Sequence, residues 1–233
     1  MRAVLKLGGS LLYSQDGSIL TGKIEEYAKH IVALADEGHQ LVIVVGGGRA
    51  ARAFIAAARE LGADESRCDW FGIRLARHNA ELLAVALGDY AYPKVVESLE
   101  ELDSVLCLNR VVVMGGLTPG QSTNAVAALA AEVLGADAFF NATNVDGVYD
   151  RDPSKPGAKK LHRVSVEQLE EVLASGGTRA GEYKLFDPVA IRVVARSHIK
   201  TMIFNGNEPE NLVQLFKGTR IGTVVYHNSK DKE

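Results

Sequence analysis

Ala3-Val4-Leu5-Lys6-Leu7-Gly8-Gly9-Ser10 opens the chain with an apolar run that ends in a glycine turn, and the same arrangement returns twice. Leu41–Val45 leads into Gly46-Gly47-Gly48. Val111–Met114 leads into Gly115-Gly116, followed by Leu117-Thr118-Pro119-Gly120-Gln121-Ser122-Thr123. Short, almost continuously apolar runs suit strands buried on both faces, as in parallel sheets. Glycine lets backbone approach a ligand closely and leaves N–H groups to point at oxygens, so a strand, a glycine turn and a helix together cradle phosphate. Three such turns in one chain predict a site that holds several phosphates at once, as phosphoryl transfer between two substrates requires.

Working outward, strands are predicted at 3–7, 41–45, 111–114, 138–142, 200–204 and 222–226. Helical periodicity covers 21–37, 49–62, 72–88, 98–107, 123–135, 165–175, 187–197 and 209–216. This alternation predicts an α/β fold with a largely parallel sheet covered on both faces. Ligands in such sheets bind at the C-terminal ends of the strands, where the glycine turns lie. Asp150–Arg163 and Ser175–Gly181 read as irregular, and Asn228–Glu233 as a polar tail.

Bulk properties narrow the function. The 233 residues can bury a sizeable core, and 47% hydrophobic with 24% charged residues is ordinary for a globular domain. A net charge of −3 gives no electrostatic footprint for nucleic acid, so an anionic ligand must be held by local features. Two distant cysteines, Cys68 and Cys107, argue against a disulfide framework or zinc site and for a reducing compartment. No apolar run is long enough to span a bilayer, and a strand rather than a signal-peptide pattern follows Met1. A cytoplasmic protein without membrane or nucleic-acid partners is the expectation.

Each motif has a plain reading beside its chemical one. The Walker pattern is absent. Gly46-x-Gly48-x-x-Ala51 matches a dinucleotide fingerprint, with Asp69 at the distance of a ribose ligand, but it follows the second strand and leaves the other two turns unexplained. Lys6 is either an outward-facing strand residue or a fixed ammonium that neutralises a transferring phosphoryl group; beside the glycine turns the second reading is favoured. Thr143-Asn144-Val145-Asp146-Gly147-Val148-Tyr149-Asp150-Arg151-Asp152-Pro153 reads as turns, or as polar groups for a base and ribose. Asp187 before Pro188 is explained as a helix N-cap. The six histidines have no ligand spacing. Arg49, Arg74 and Arg77 read as solvated helix faces, whereas Arg52 is placed to reach a phosphate.

Lys6–Ser10, Val45–Gly48 and Thr143–Pro153 together resemble the amino acid kinase superfamily. Cys68-Asp69-Trp70-Phe71-Gly72-Ile73, Met114–Thr123 and Phe186-Asp187-Pro188-Val189-Ala190 narrow the resemblance to its archaeal uridylate kinases, over nearly the whole chain. The resemblance implies a single domain, an open αβα sandwich with a mainly parallel eight-stranded sheet. Within it, residues 1–137 would form the UMP lobe and 138–228 the ATP lobe. It implies transfer of the ATP γ-phosphoryl group to UMP, with Mg²⁺ held mainly by ATP phosphates, in a homohexamer. Gly9, Ser10, Gly48, Arg52, Thr143, Asn144, Tyr149 and Asp152 would hold ATP. Gly47, Asp69, Leu117, Thr118, Pro119, Gly120, Gln121, Ser122 and Thr123 would hold UMP. Lys6 would stabilise the transferring group and Asp187 orient the charges around it. The sequence departs from the family at Asn124, where uridylate kinases usually carry aspartate, and at Lys184, where small hydroxyl residues are usual. Two alternatives stay open: a sister kinase acting on another small anion, and a protein of the same fold that binds nucleotide or oxyanion without turnover.

Overall fold

The computed structural model describes residues 1–108, 110–151, 156–175 and 186–227. The strands are β1 (Arg2–Leu7), β2 (Gln40–Val45), β3 (Val111–Met114), β4 (Ala138–Thr143), β5 (Val148–Tyr149), β6 (Lys160–Leu161), β7 (Arg163–Ser165), β8 (Lys200–Asn205) and β9 (Thr223–Tyr226). The helices are α1 (Thr21–Asp36), α2 (Gly48–Glu60), α3 (Glu65–Leu87), α4 (Leu99–Leu106), α5 (Thr123–Leu134), α6 (Val166–Ser175), α7 (Pro188–Ser197) and α8 (Glu210–Phe216).

Seven strands form the main sheet, in the order β3-β2-β1-β4-β8-β9-β7, and β5 and β6 pair separately. Five neighbouring strands, β3 to β8, run parallel. Only at β9 does the direction reverse, and β7 runs parallel to β9. The family resemblance implies eight strands; the described residues give seven. Beside the β3 edge, Ala91 and Val96 make isolated parallel bridges to Val111 and Met114 without forming a strand. Pro93 stands between them and can donate nothing to a ladder.

Alternation along β1 divides the core into two layers. Ala3, Leu5 and Leu7 face α1, α3 and α8, together with Leu41, Ile43, Val45 and Phe140. Val4 faces α4, α5 and α7, together with Val42, Val44 and Phe139. Lys6 shares this second face, so it points inward beneath helices and not to solvent.

One boundary differs from the periodicity. α3 begins at Glu65, not near 72, because Asp64 caps it by accepting a hydrogen bond from Arg67 N–H. Gly72, which looks like a start, lies inside the helix. Asp69 is therefore a helical residue on a rigid element.

Phe139 on central strand β4 packs against Phe186, ring centroids 5.7 Å apart, and Phe186 stands just before Asp187, the cap of α7. Both rings are buried. Phe139→Ala is expected to cost about 3–5 kcal/mol in urea unfolding, as large aromatic truncations in cores do. A loss below about 1 kcal/mol would mean that this contact does not hold α7 to the sheet.

Candidate active site

The first two glycine turns lock together at the ends of β1 and β2. Gly8 N–H donates to Ala142 O at 3.0 Å, and Gly46 N–H to Leu7 O at 2.9 Å. A Cβ on Gly9 would stand 2.2 Å from Gly46 O and 2.4 Å from Gly48 N, and one on Gly48 2.4 Å from Gly9 O. Gly48 also has a φ of 68°. Backbone against backbone at this distance admits no side chain, so these glycines are demanded by the packing of the two turns as well as by any phosphate. Asn79 on α3, buried and absent from the expected site, fastens them. Its Nδ2 donates to Gly46 O and Gly47 O at 2.8 and 3.1 Å, and its Oδ1 accepts from the Tyr13 hydroxyl at 2.6 Å.

Lys6 lies one residue before this junction, with 6% of its surface exposed. Its register neighbours are Val44 and Asn141. Desolvation pulls its ammonium from an ordinary 10.5 to about 8, with no described carboxylate to offset it. The reading of Lys6 as an exposed strand residue is thereby excluded. Asn124, second residue of α5, is also buried, and its N–H donates to Ser122 Oγ at 3.0 Å.

Two helix N-termini are joined beside the glycine turns. Ser122 Oγ caps α5, accepting from Asn124 and Ala125 N–H. Asp187 Oδ1 caps α7, accepting from Val189 and Ala190 N–H at 2.9 and 3.1 Å. The Ser122 hydroxyl then donates to Asp187 Oδ2. Asp187 is thus a cap, as its Asp-Pro context suggests, and also a link to the loop after β3. These caps take most of the first-turn N–H groups: α7 keeps none, since Pro188 has no N–H and Ile191 donates to Asp187 O, and α5 keeps that of Thr123, beside the partial positive charge of its N-terminus.

That loop rests on α3. Asp69 Oδ2 accepts from Gly120 N–H at 2.8 Å. Arg77 donates from Nε to Gly116 O and from Nη2 to Leu117 O, at 2.9 and 3.2 Å. Arg77 is a correction to the sequence reading: it is 17% exposed and bound to the loop, not a solvated helix residue. Arg74 is exposed, as expected. The signal that could have marked Arg77 is its spacing of eight from Asp69 on one helix, visible only once α3 starts at Glu65. Thr118, Gly120 and Ser122 are exposed; Pro119, Gln121 and Thr123 are half-buried; Leu117 is buried.

The remaining candidates lie around the ends of β1, β2 and β4. Ser10 is half-buried in a 3₁₀ turn over Gly9–Leu12, and Arg52 is exposed one turn into α2. Thr143 ends β4 fully buried, its carbonyl accepting from Gly206 N–H at 2.7 Å, whereas Asn144 is exposed. The Tyr149 hydroxyl donates to Asp146 Oδ1 at 2.9 Å, and Asp146 pairs with Lys160 at 3.0 Å. Lys160 was missed because its pairing with Asp146 depends on the short β5–β6 hairpin. Asp152 and Lys184 lie outside the described residues.

An inward ammonium without a described acidic partner, two interlocked glycine turns and the joined starts of α5 and α7 make a candidate oxyanion site at the C-terminal edge of a parallel sheet. The amino acid kinase family model matches residues 1–205. The chain is 47% identical to the uridylate kinase of Methanothermobacter thermautotrophicus over 226 residues, covering 97% of this chain and 99% of that one. It is 44% identical to the Methanocaldococcus jannaschii uridylate kinase, at the same coverage. The crystal structure of uridylate kinase from Archaeoglobus fulgidus matches with a TM-score of 0.84 at 46% identity, covering 97% of this chain and 100% of that one. The chain belongs to the amino acid kinase family.

The buried ammonium has a thermodynamic consequence. Its folded value of about 8 lies below the ordinary 10.5, so the unfolded chain binds more protons between those values. Stability therefore rises with pH across that window, and the cost is fully present below pH 8. Lys6→Met keeps the bulk and removes the charge. It is expected to raise the urea midpoint at pH 7 and to flatten the rise from pH 8 to 10.5. A lower midpoint at pH 7 in the variant would contradict an uncompensated buried charge.

Proposed function

We propose that this protein transfers the γ-phosphoryl group of ATP to UMP, giving UDP and ADP. The observation that carries this reading is Lys6, an inward ammonium with no described carboxylate partner beside two glycine turns. It belongs to a chain similar to uridylate kinases along nearly its whole length.

The UMP phosphate has a second pKa near 6, about that of other phosphate monoesters, so it is already anionic at neutral pH and needs no general base. A UMP phosphate oxygen bonds to the γ-phosphorus, the bond from that phosphorus to the β–γ bridging oxygen breaks, and ADP departs with the electron pair. Positioning and charge neutralisation are what the protein must supply. Gly9, Ser10, Gly48, Arg52, Thr143, Asn144, Tyr149 and Asp152 hold ATP; the hydroxyl of the buried Thr143 donates to Asn144 Oδ1 at 3.4 Å. Gly47, Asp69 and Leu117–Thr123 hold UMP. Lys6 neutralises the transferring group from within the sheet, where low dielectric strengthens its field. Asp187 orients the charges around Lys6 through its place between α7 and Ser122.

Among the described residues no cluster of three potential metal ligands occurs. Mg²⁺ commonly takes one or two carboxylates plus substrate phosphates, and the Asp187 carboxylate at the junction of α5 and α7 is of that kind. Asp187 would be its protein ligand, and the ion would neutralise charge on the β- and γ-phosphates. The same reading makes the protein a cytoplasmic homohexamer. Self-association is supported by exposed apolar side chains on α2 and α3, including Phe54 and Val85, the latter 80% exposed. No helix among the described residues is long and apolar enough to cross a membrane.

Coupled ADP release should depend on UMP in a panel with CMP, dUMP, N-acetylglutamate and isopentenyl phosphate. Release with another member and none with UMP would assign a sister activity, and tight UMP and ATP binding without UDP would assign a binding protein. Lys6→Ala is expected to lower kcat by about 10²–10³, with a smaller change in UMP binding. Equal losses would reduce Lys6 to a substrate-binding residue.

A further inference from the structure

One stripe of α3 carries the whole loop after β3. Asp69, Ile73 and Arg77 recur every four residues and so share a helix face. Asp69 takes Gly120 N–H. A Cβ on Gly116 would meet Ile73 Cα at 3.0 Å, and one on Gly115 would meet Arg77 N at 2.7 Å, so loop and helix touch backbone to backbone. Arg77 then reaches beyond the glycines to the successive carbonyls of Gly116 and Leu117, and its Nη1 pairs with Glu97 at 2.6 Å. Glu97 is 57% exposed, so the ion pair itself adds little; the shielded carbonyl bonds are what restrain the loop.

Those two bonds set the direction of two others. In a trans peptide the C=O and the following N–H point to opposite sides, and no peptide here is cis. Turning the Gly116 and Leu117 carbonyls toward Arg77 turns the Leu117 and Thr118 N–H groups away from α3. Neither N–H has a hydrogen-bond partner among the described residues, whereas Gly120 and Gln121 N–H are both taken. We propose that Arg77 is a positioning residue for the phosphoryl acceptor: by holding two carbonyls it aims the Leu117 and Thr118 N–H groups at acceptor oxygens. The proposal rests on the UMP kinase reading. Lysine cannot replace the planar fork, because its ammonium meets one carbonyl at good geometry where the guanidinium meets two.

The test compares wild type, Arg77→Met and Arg77→Lys in steady-state kinetics, with hydrogen exchange on the nucleotide-free proteins. Arg77→Met should raise the KM for UMP by about tenfold, with a smaller change in kcat and in the KM for ATP, as loss of a charged hydrogen bond on the acceptor side alone predicts. Arg77→Lys should recover part of that loss. Amide exchange should quicken across 116–121 in Arg77→Met and stay unchanged at 8–10 and 46–48. Equal rises in both KM values, or a fall in kcat alone, would overturn the assignment, as would unchanged exchange at 116–121. Wild-type protein inert toward UMP would sink the substrate reading instead, and the exchange measurement would still decide what Arg77 holds.

Discussion

An ammonium turned inward from a parallel strand costs several kcal/mol unless something negative meets it. Lys6 carries that cost in the described structure without a carboxylate, and burial alone lowers its proton affinity. Near it, among the described residues, the N–H groups of Gly8 and Gly46 and of the capped first turns of α5 and α7 are taken, whereas those of Gly9, Ser10, Gly47 and Thr123 have no partner. These donors are as unsuited as the ammonium to one another and as suited to phosphate oxygens. On the proposed reading, ligand and protein charge are complementary halves.

Placement of that charge depends on the turns being rigid. Gly9 and Gly48 interlock so closely that no side chain fits, and Asn79 ties the pair to α3. The same helix bears Asp69 and Arg77, which hold the acceptor loop. On the proposed reading, one helix therefore sets the spacing between donor and acceptor phosphates. Ser122 and Asp187 close the arrangement from the opposite face of the sheet. A change on α3 far from any phosphate can shift the reacting atoms, and small displacements are expensive in phosphoryl transfer.

Much of this was legible in the residues. All six strands expected from apolar runs are present, because buried parallel strands write themselves as continuous Val, Ile and Leu. Gly8–Gly9 and Gly46–Gly48 were legible as tight glycine turns after strands, and the close packing of one turn on the other is the reason the structure shows for them. The start of α3 was not, since Gly72 mimics a boundary and the true cap, Asp64, lies eight residues earlier. Asn79, Arg77 and Lys160 were hidden for a different reason: their partners are backbone carbonyls or side chains brought near by tertiary structure, which spacing in one chain cannot encode. Strands of two or three residues such as β5, β6 and β7 carry too little periodicity to read.

The central claim is that phosphate supplies the missing counter-charge of Lys6, and proton uptake on binding measures it directly. At pH 8.5 nucleotide phosphates are fully ionised, whereas Lys6, with a value of about 8, is partly neutral. Titrating ATP calorimetrically into the protein in buffers of different ionisation enthalpy gives the protons exchanged. The account predicts net uptake in the wild type, approaching the neutral fraction of Lys6, and none in Lys6→Met. Equal uptake in both proteins, or none in either, would contradict it.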